Sequence, residues 1–284
     1  MSGDPELEQQ MERLAQERWP EVVAIVDALA GRADRQGEWA TNAGSPLAGD
    51  DRNSAPYQVS HAFQLLLNAG IDNLNAVRHL IFGRPGRPLE RAVLHQAAHF
   101  TLGRDAIANF ATVLWILGPE RRAVRVERTL RWHAKNVSDQ HAVIDRFSQG
   151  TGPHRTKEQK MLRLEEVLRR GNGVVPEKFR RGYFDSEVMK YVDSLRGVDP
   201  DRALTSHFIW QLCSGFAHGR PWAQLSFLEQ ETKPTNDDGI LHLRMTSNLM
   251  RALAAPMHAV DLCEQLLNRH EKLNTPLFAS ATLG

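Results

Sequence analysis

The chain has 284 residues and a formal net charge of +1, with 35 Lys plus Arg against 34 Asp plus Glu. Apolar residues make up 42% and charged residues 24%, enough to bury a core and to exclude a wholly disordered chain. The even charge excludes a uniformly basic nucleic-acid coat, and two cysteines, Cys213 and Cys263, exclude a disulfide framework or a four-cysteine zinc site.

No apolar run reaches the ~18 residues of a membrane span. The polar, acidic stretch Met1–Pro20 does not read as a secretory signal. A reduced, cytoplasmic chain with no membrane partner is expected.

Helical spacing of apolar residues dominates. Residues 6–18 predict a polar helix, and Pro20 opens a second one at its first position, where a missing N–H costs nothing. Val22, Val23, Ile25, Val26 and Leu29 form the apolar face of that second helix. The segment 1–35 is expected to be a helical arm or a dimer contact. Residues 36–56 are rich in Gly, Asn, Asp, Ser and Pro and predict a long loop. Helical spacing returns over 57–82, and GRPGRP at 83–88 breaks it.

Leu89–Leu117 predicts a central buried helix, stopped by Gly118-Pro119. A charged helix over 120–148 and a turn at Gly150–Pro153 follow. Residues 155–170 then predict an amphipathic helix with Met161, Leu164, Val167 and Leu168 as its stripe. Helices over 185–196 and 201–218 come next, the second opened by Asp199-Pro200-Asp201. Residues 222–230 and 239–246 alternate apolar and polar side chains around ETKPTNDDG, which predicts a β-hairpin packed on the helices. A last helix spans 247–272, bent at Pro256. The expected fold is all-α, a helical bundle over 57–284 of about eight to nine helices with one small β-hairpin at 222–246.

Charge is uneven. Residues 1–60 carry five Arg against eleven acids, and residues 119–181 carry sixteen Lys or Arg against eight. The basic stretch holds a ladder, Arg121, Arg122, Arg125, Arg128 and Arg131, followed by Trp132, His133 and Lys135. Each step of three turns back by about 60° on a helix, so the ladder spreads across half its surface. Such a face can hold RNA phosphates at several points, with Trp132 as a stacking platform. It can equally be a solvated face.

His95 and His99 fall at i, i+4 in the predicted buried helix, as two metal ligands would. Neither H-E-x-x-H nor Glu-x-x-His pairs accompany them, so no metal and no other cofactor is expected. No Walker loop or G-x-G-x-x-G occurs.

The segment WQLCSGFAHGRPWA, residues 210–223, is more distinctive. Ser214 and His218 are four apart and share a helix face, Gly219 fits the position after a helix end, and Arg220-Pro221 reads as a stop. His218 is then a candidate general base beside Ser214, with Arg220 steadying an anion. In the structural alternative Ser214 lets helices approach, His218 caps the helix, and Trp210 and Trp222 are core. The spacing R-x-x-x-x-H occurs at Arg128–His133 and Arg202–His207, with Thr129 or Ala203 after the arginine rather than Asn, His or Asp.

The stretches TLGRDAIANFATVLWILGPERRAVRVERTL and WQLCSGFAHGRPWA, in that order, resemble a set of uncharacterised helical proteins of actinobacteria and actinophages. Those proteins look like relatives of the AbiV-type, HEPN-like abortive-infection family. The resemblance implies a prokaryotic or phage defence or toxin-type protein, homodimeric, that binds RNA or cuts it as a metal-independent ribonuclease. It points to Ser214, His218 and Arg220, with Arg104, Arg125 and Arg128 behind them. The alternative is a non-catalytic helical module that binds a protein partner or regulates one.

Overall fold

The computed structural model describes residues 5–88, 91–147, 155–171, 173–197, 204–233 and 242–277. Among them the fold is all-α with small hairpins: ten α-helices and two antiparallel strand pairs. In chain order these are α1 (Pro5–Ala33), α2 (Pro46–Ser54), α3 (Val59–Phe82), β1 (Gly83–Arg84), β2 (Arg87–Pro88), α4 (Ala98–Leu117), α5 (Arg122–Phe147), α6 (Lys157–Arg170), a 3-10 turn (Phe179–Arg181), α7 (Asp185–Leu195), α8 (Ser206–Ala217), α9 (Pro221–Phe227), β3 (Glu229–Lys233), β4 (His242–Thr246) and α10 (Leu249–Asn274). The chain divides into two compact units. Unit 1 takes Met1–Glu38, Leu67–Phe110 and Arg196–Glu264; unit 2 takes Trp39–Leu66, Ala111–Leu195 and Gln265–Gly284.

In unit 1, α1 is one continuous helix with Pro20 inside it, not two helices. Pro20 leaves the Gln16 carbonyl without its helical donor, but both residues are exposed and water can serve that carbonyl. Nor is α1 a detached arm. Trp19 is buried and stacks on Phe82 at 3.9 Å, with Val22, Val26 and Leu29 also buried. Arg78 on α3 clamps Asp27 on α1 through bonds of 2.8 and 3.0 Å and also donates to the Gly83 carbonyl. Phe100 on α4 stacks on Phe216 of α8 at 4.0 Å and meets Phe227 of α9 edge-on at 5.9 Å. The Glu12 carboxylate accepts the backbone N–H groups of Leu249 and Met250, capping α10.

Several expectations change in this unit. α4 starts at Ala98 rather than Leu89, and residues 91–97 are irregular. His95 therefore lies off the helix, and its i, i+4 pairing with His99 is lost. GRPGRP builds the β1–β2 hairpin rather than a bare break. Residues 221–227 are helix α9, with Pro221 at its first position and Arg220 as its N-cap residue. The alternation of Trp222, Leu225 and Phe227 is a short helix's spacing, and the strand begins only at Glu229. It pairs with β4 from Glu229 opposite Thr246 to Lys233 opposite His242. α8 opens at Ser206, where the Thr205 hydroxyl accepts from the Phe208 N–H at 3.0 Å. The predicted starter Asp199-Pro200-Asp201, Arg202 and the turn at 150–153 lie outside the described residues. α10 runs through Pro256 without interruption.

In unit 2, residues 36–56 are not one loop. The Ser45 hydroxyl accepts from the Ala48 N–H and Pro46 takes the first helical position, so the Ser-Pro pair starts α2. α5 packs on α2, on α6 and on the 3-10 turn. α6 opens with a reciprocal cap between Thr156 and Gln159, and its stripe Met161, Leu164, Val167 and Leu168 is buried as its spacing predicts. Val126 and Leu130 of α5, Phe179, and Val188 and Met189 of α7 are buried with it.

Candidate functional site

The two sets of candidate residues fall in different units. Ser214, His218 and Arg220 belong to unit 1, and the arginine ladder to unit 2.

On α8 the last helical residue is Ala217. His218 is the C-cap residue; its backbone N–H returns to the Ser214 carbonyl and that of Gly219 to the Phe216 carbonyl. Gly219 follows with φ of 61°, the left-handed conformation expected after a helix end. His218, Gly219 and Arg220 are all exposed. Ser214 is half-buried. Its hydroxyl donates to the Trp210 carbonyl at 2.8 Å and accepts from Arg104 Nε at 2.7 Å. Arg104 also donates to Asp105 at 2.6 Å and lies 5.3 Å from the Trp210 ring centre. Among the described residues no hydrogen bond joins Ser214, His218 and Arg220 to one another through their side chains.

This arrangement ties the hydroxyl to its own helix and to α4. The Ser214 proton is held by the helix's own backbone, and Arg104 occupies a lone pair of the same oxygen. The neighbouring Cys213 is buried, and burial pushes its thiol up to about 12 against the opposing pull of Arg104, which leaves it unreactive. Trp210 is half-buried and Trp222 is 47% exposed, so neither is core.

The arginine ladder is largely bonded within unit 2. Arg125 is buried and grips fully buried Asp50 through Nε at 2.6 Å and Nη2 at 3.0 Å. Its Nη1 donates to the Pro119 and Glu120 carbonyls. Arg122 adds a third bond to Asp50, from Nε at 3.0 Å. Arg128 donates to the Trp115 carbonyl at 2.6 Å and lies 4.0 Å from the Tyr191 ring centre. Arg131 donates to the Gly182 carbonyl at 2.8 Å and pairs with Glu187 at 3.2 Å. Lys135 pairs with Asp139 one turn on.

Within the ladder, only Arg121 is exposed and makes no ion pair among the described residues. Trp132 is half-buried, edge-on to His133 at 4.8 Å. Among the described residues most of the ladder is therefore neither free guanidinium nor a merely solvated face. Acids far away in sequence, Asp50 and Glu187, turn much of the ladder into internal braces.

The Arg128–His133 pair is divided in the same way. His133 packs 4.9 Å from Tyr57, and burial, aided by His61, lowers its pKa to about 4. His99 is fully buried, and burial, aided by His95, lowers it to about 4 too. No group of three or more His, Cys, Asp or Glu positioned for a metal occurs among the described residues. No described helix is long and apolar enough to cross a membrane.

One feature of unit 1 escaped the sequence reading. Leu204, Phe208, Trp222 and Leu225 on α8, its N-terminal flank and α9 are 63%, 47%, 47% and 44% exposed. Trp222 lies against Gly215, and Leu204 and Phe208 border a small apolar recess with Phe100, Leu212 and Phe227. Neither α8 nor α9 contains an Asp or Glu. Reading 222–230 as a strand hid this strip. No protein-family model matches the chain, and no curated protein or solved structure matches it.

Proposed function

We propose that the chain is a non-catalytic helical interaction module that docks a protein partner on the strip formed by α8 and α9. The observation that carries this reading is the exposure of Phe208 on α8 and of Trp222 and Leu225 on α9, two helices that pack on one another. Large aromatic side chains left half-exposed on neighbouring helices are what a binding surface presents. Holding an RNA backbone along the ladder would need a run of free guanidinium groups. Ser214, Arg125, Arg128 and Arg131 have other partners.

The rim of the strip sets the partner's character. His207 and Gln211 lie on α8, His218 and Arg220 between it and α9, and neither helix carries an acid. The fitting occupant is an amphipathic helix whose apolar face meets Phe208 and Trp222 and whose flanks are acidic. Photocrosslinking from positions 208 and 222 of the full chain in its host identifies the segment that sits there. That segment, made as a peptide, is expected to be acid-flanked and amphipathic, and to bind at least about tenfold more weakly to Phe208→Asp or Trp222→Asp than to wild type. Binding indifferent to both changes, or crosslinks to RNA alone, would overturn the proposal.

A further inference from the structure

Unit 2 contains a pocket of about 240 Å³ lined by Asn53 of α2, Arg122, Ala123 and Val126 of α5, Leu168 of α6, and Gly171 and Gly173 beyond it. We infer that this pocket is a binding site for a small phosphorylated polyol or sugar, with Arg122 holding the phosphate and Asn53 a hydroxyl.

Asp50 is fully buried, and two guanidinium groups, Arg122 and Arg125, close on its single carboxylate. One positive charge is left over. Arg125 is buried, with its donors directed at Asp50 and at two carbonyls. The surplus therefore falls to Arg122, which is half-exposed and lines the pocket. Its Nε is pinned to Asp50 at 3.0 Å, and its two terminal nitrogens make no hydrogen bond among the described residues. The guanidinium lies against Gly49, where an added Cβ would come within 2.5 Å of Nη2, and its terminal N–H groups keep no acceptor among the described residues, which suits it to an oxyanion.

The surroundings favour a doubly charged group over a carboxylate. Arg121 is the preceding residue, exposed and without an ion pair among the described residues. Arg170, next to Gly171, donates only to the Ala55 carbonyl. The nearby acids are engaged: Glu120 with Arg269, Glu165 with Arg169 and Arg180, and Glu166 with Arg163. The pocket also meets the first turn of α5, the positive end of that helix.

The organic part is set by what remains. Asn53 Nδ2 donates to the Gly49 carbonyl at 2.8 Å, which leaves Oδ1 as an acceptor for a ligand hydroxyl. Val126 and Leu168 give an apolar wall, and the two glycines add no side chain to fill the space. A compact body carrying hydroxyl groups suits this lining.

Calorimetric titration of the full chain tests this with ribose 5-phosphate, ribose and inorganic phosphate. Ribose 5-phosphate is expected to bind saturably with one site per chain, inorganic phosphate more weakly, and ribose not at all. Arg122→Gln, which leaves Asp50 held by Arg125, is expected to weaken ribose 5-phosphate by at least about tenfold. Ala123→Phe fills the pocket from an exposed position and is expected to abolish binding; it decides the matter should Arg122→Gln fail to fold. Absence of saturable binding by either phosphate ligand, or binding that survives either folded variant, overturns the inference.

Discussion

Arg104 and Ser214, 110 residues apart, are joined by a 2.7 Å hydrogen bond from Nε to Oγ, while Ser214 gives its own proton to the Trp210 carbonyl. The pair ties α4 to α8 within unit 1. Ser214→Ala removes the acceptor from a mostly buried guanidinium, so it is expected to cost about 1–3 kcal/mol in urea unfolding. A change in RNA turnover with no change in stability would instead give Ser214 a chemical role.

The ladder residues are expected to separate by partner, not by charge. Arg125→Leu leaves buried Asp50 with Arg122 alone and is expected to destabilise by about 3 kcal/mol. Arg121→Ala, at an exposed position, is expected to stay within about 0.5 kcal/mol of wild type. Equal effects in denaturant titration would contradict the bracing role of Arg125.

This contrast also marks how far the sequence could be read. Once-per-turn spacing located α3, α5, α6 and α10 closely, because their buried faces are long. It failed where elements are short. In α2 the start signal Ser45-Pro46 was masked by Gly, Asp and Asn around it, and in α9 four apolar residues fit either period. The chemistry was harder still. Arg122 and Arg125 look like solvated cations until Asp50, 72 and 75 positions away, is folded against them. Likewise, nothing near Ser214 in sequence announces Arg104.

Two helical glycines should respond in opposite directions. A Cβ on Gly70 would lie 2.2 Å from Cε1 of fully buried Phe110, whereas one on Gly31 meets nothing within 4 Å. Gly31→Ala is expected to stabilise α1 by about 0.5–1 kcal/mol through helix propensity. Gly70→Ala is expected to lose about 1–3 kcal/mol to overpacking, outweighing the same gain. Melting temperatures of the two variants check the ordering.

Acid should loosen the fold through its buried histidines. His99 and His133 are lowered by burial from 6.5 to about 4, so over that interval the unfolded chain binds more protons than the folded one. Their contribution is intact above about pH 6.5 and is lost as the pH falls toward 4. Glu165, held low mainly by Arg180, adds a loss of its own below its ordinary 4.5. His99→Leu is expected to flatten the decline in melting temperature between neutral pH and about pH 4.5, and to cost little at neutral pH because both ring nitrogens have no hydrogen-bond partner among the described residues. A decline as steep as wild type would show that His99 is not its source.

The most direct measurement is hydrolysis and binding of labelled RNA by the purified full chain, side by side with His218→Ala and Ser214→Ala. A module that docks a protein partner is expected to show no cleavage that depends on either residue. Cleavage by the wild type that disappears in His218→Ala, in a variant of unchanged stability, would contradict the non-catalytic reading and make the exposed end of α8 an active site.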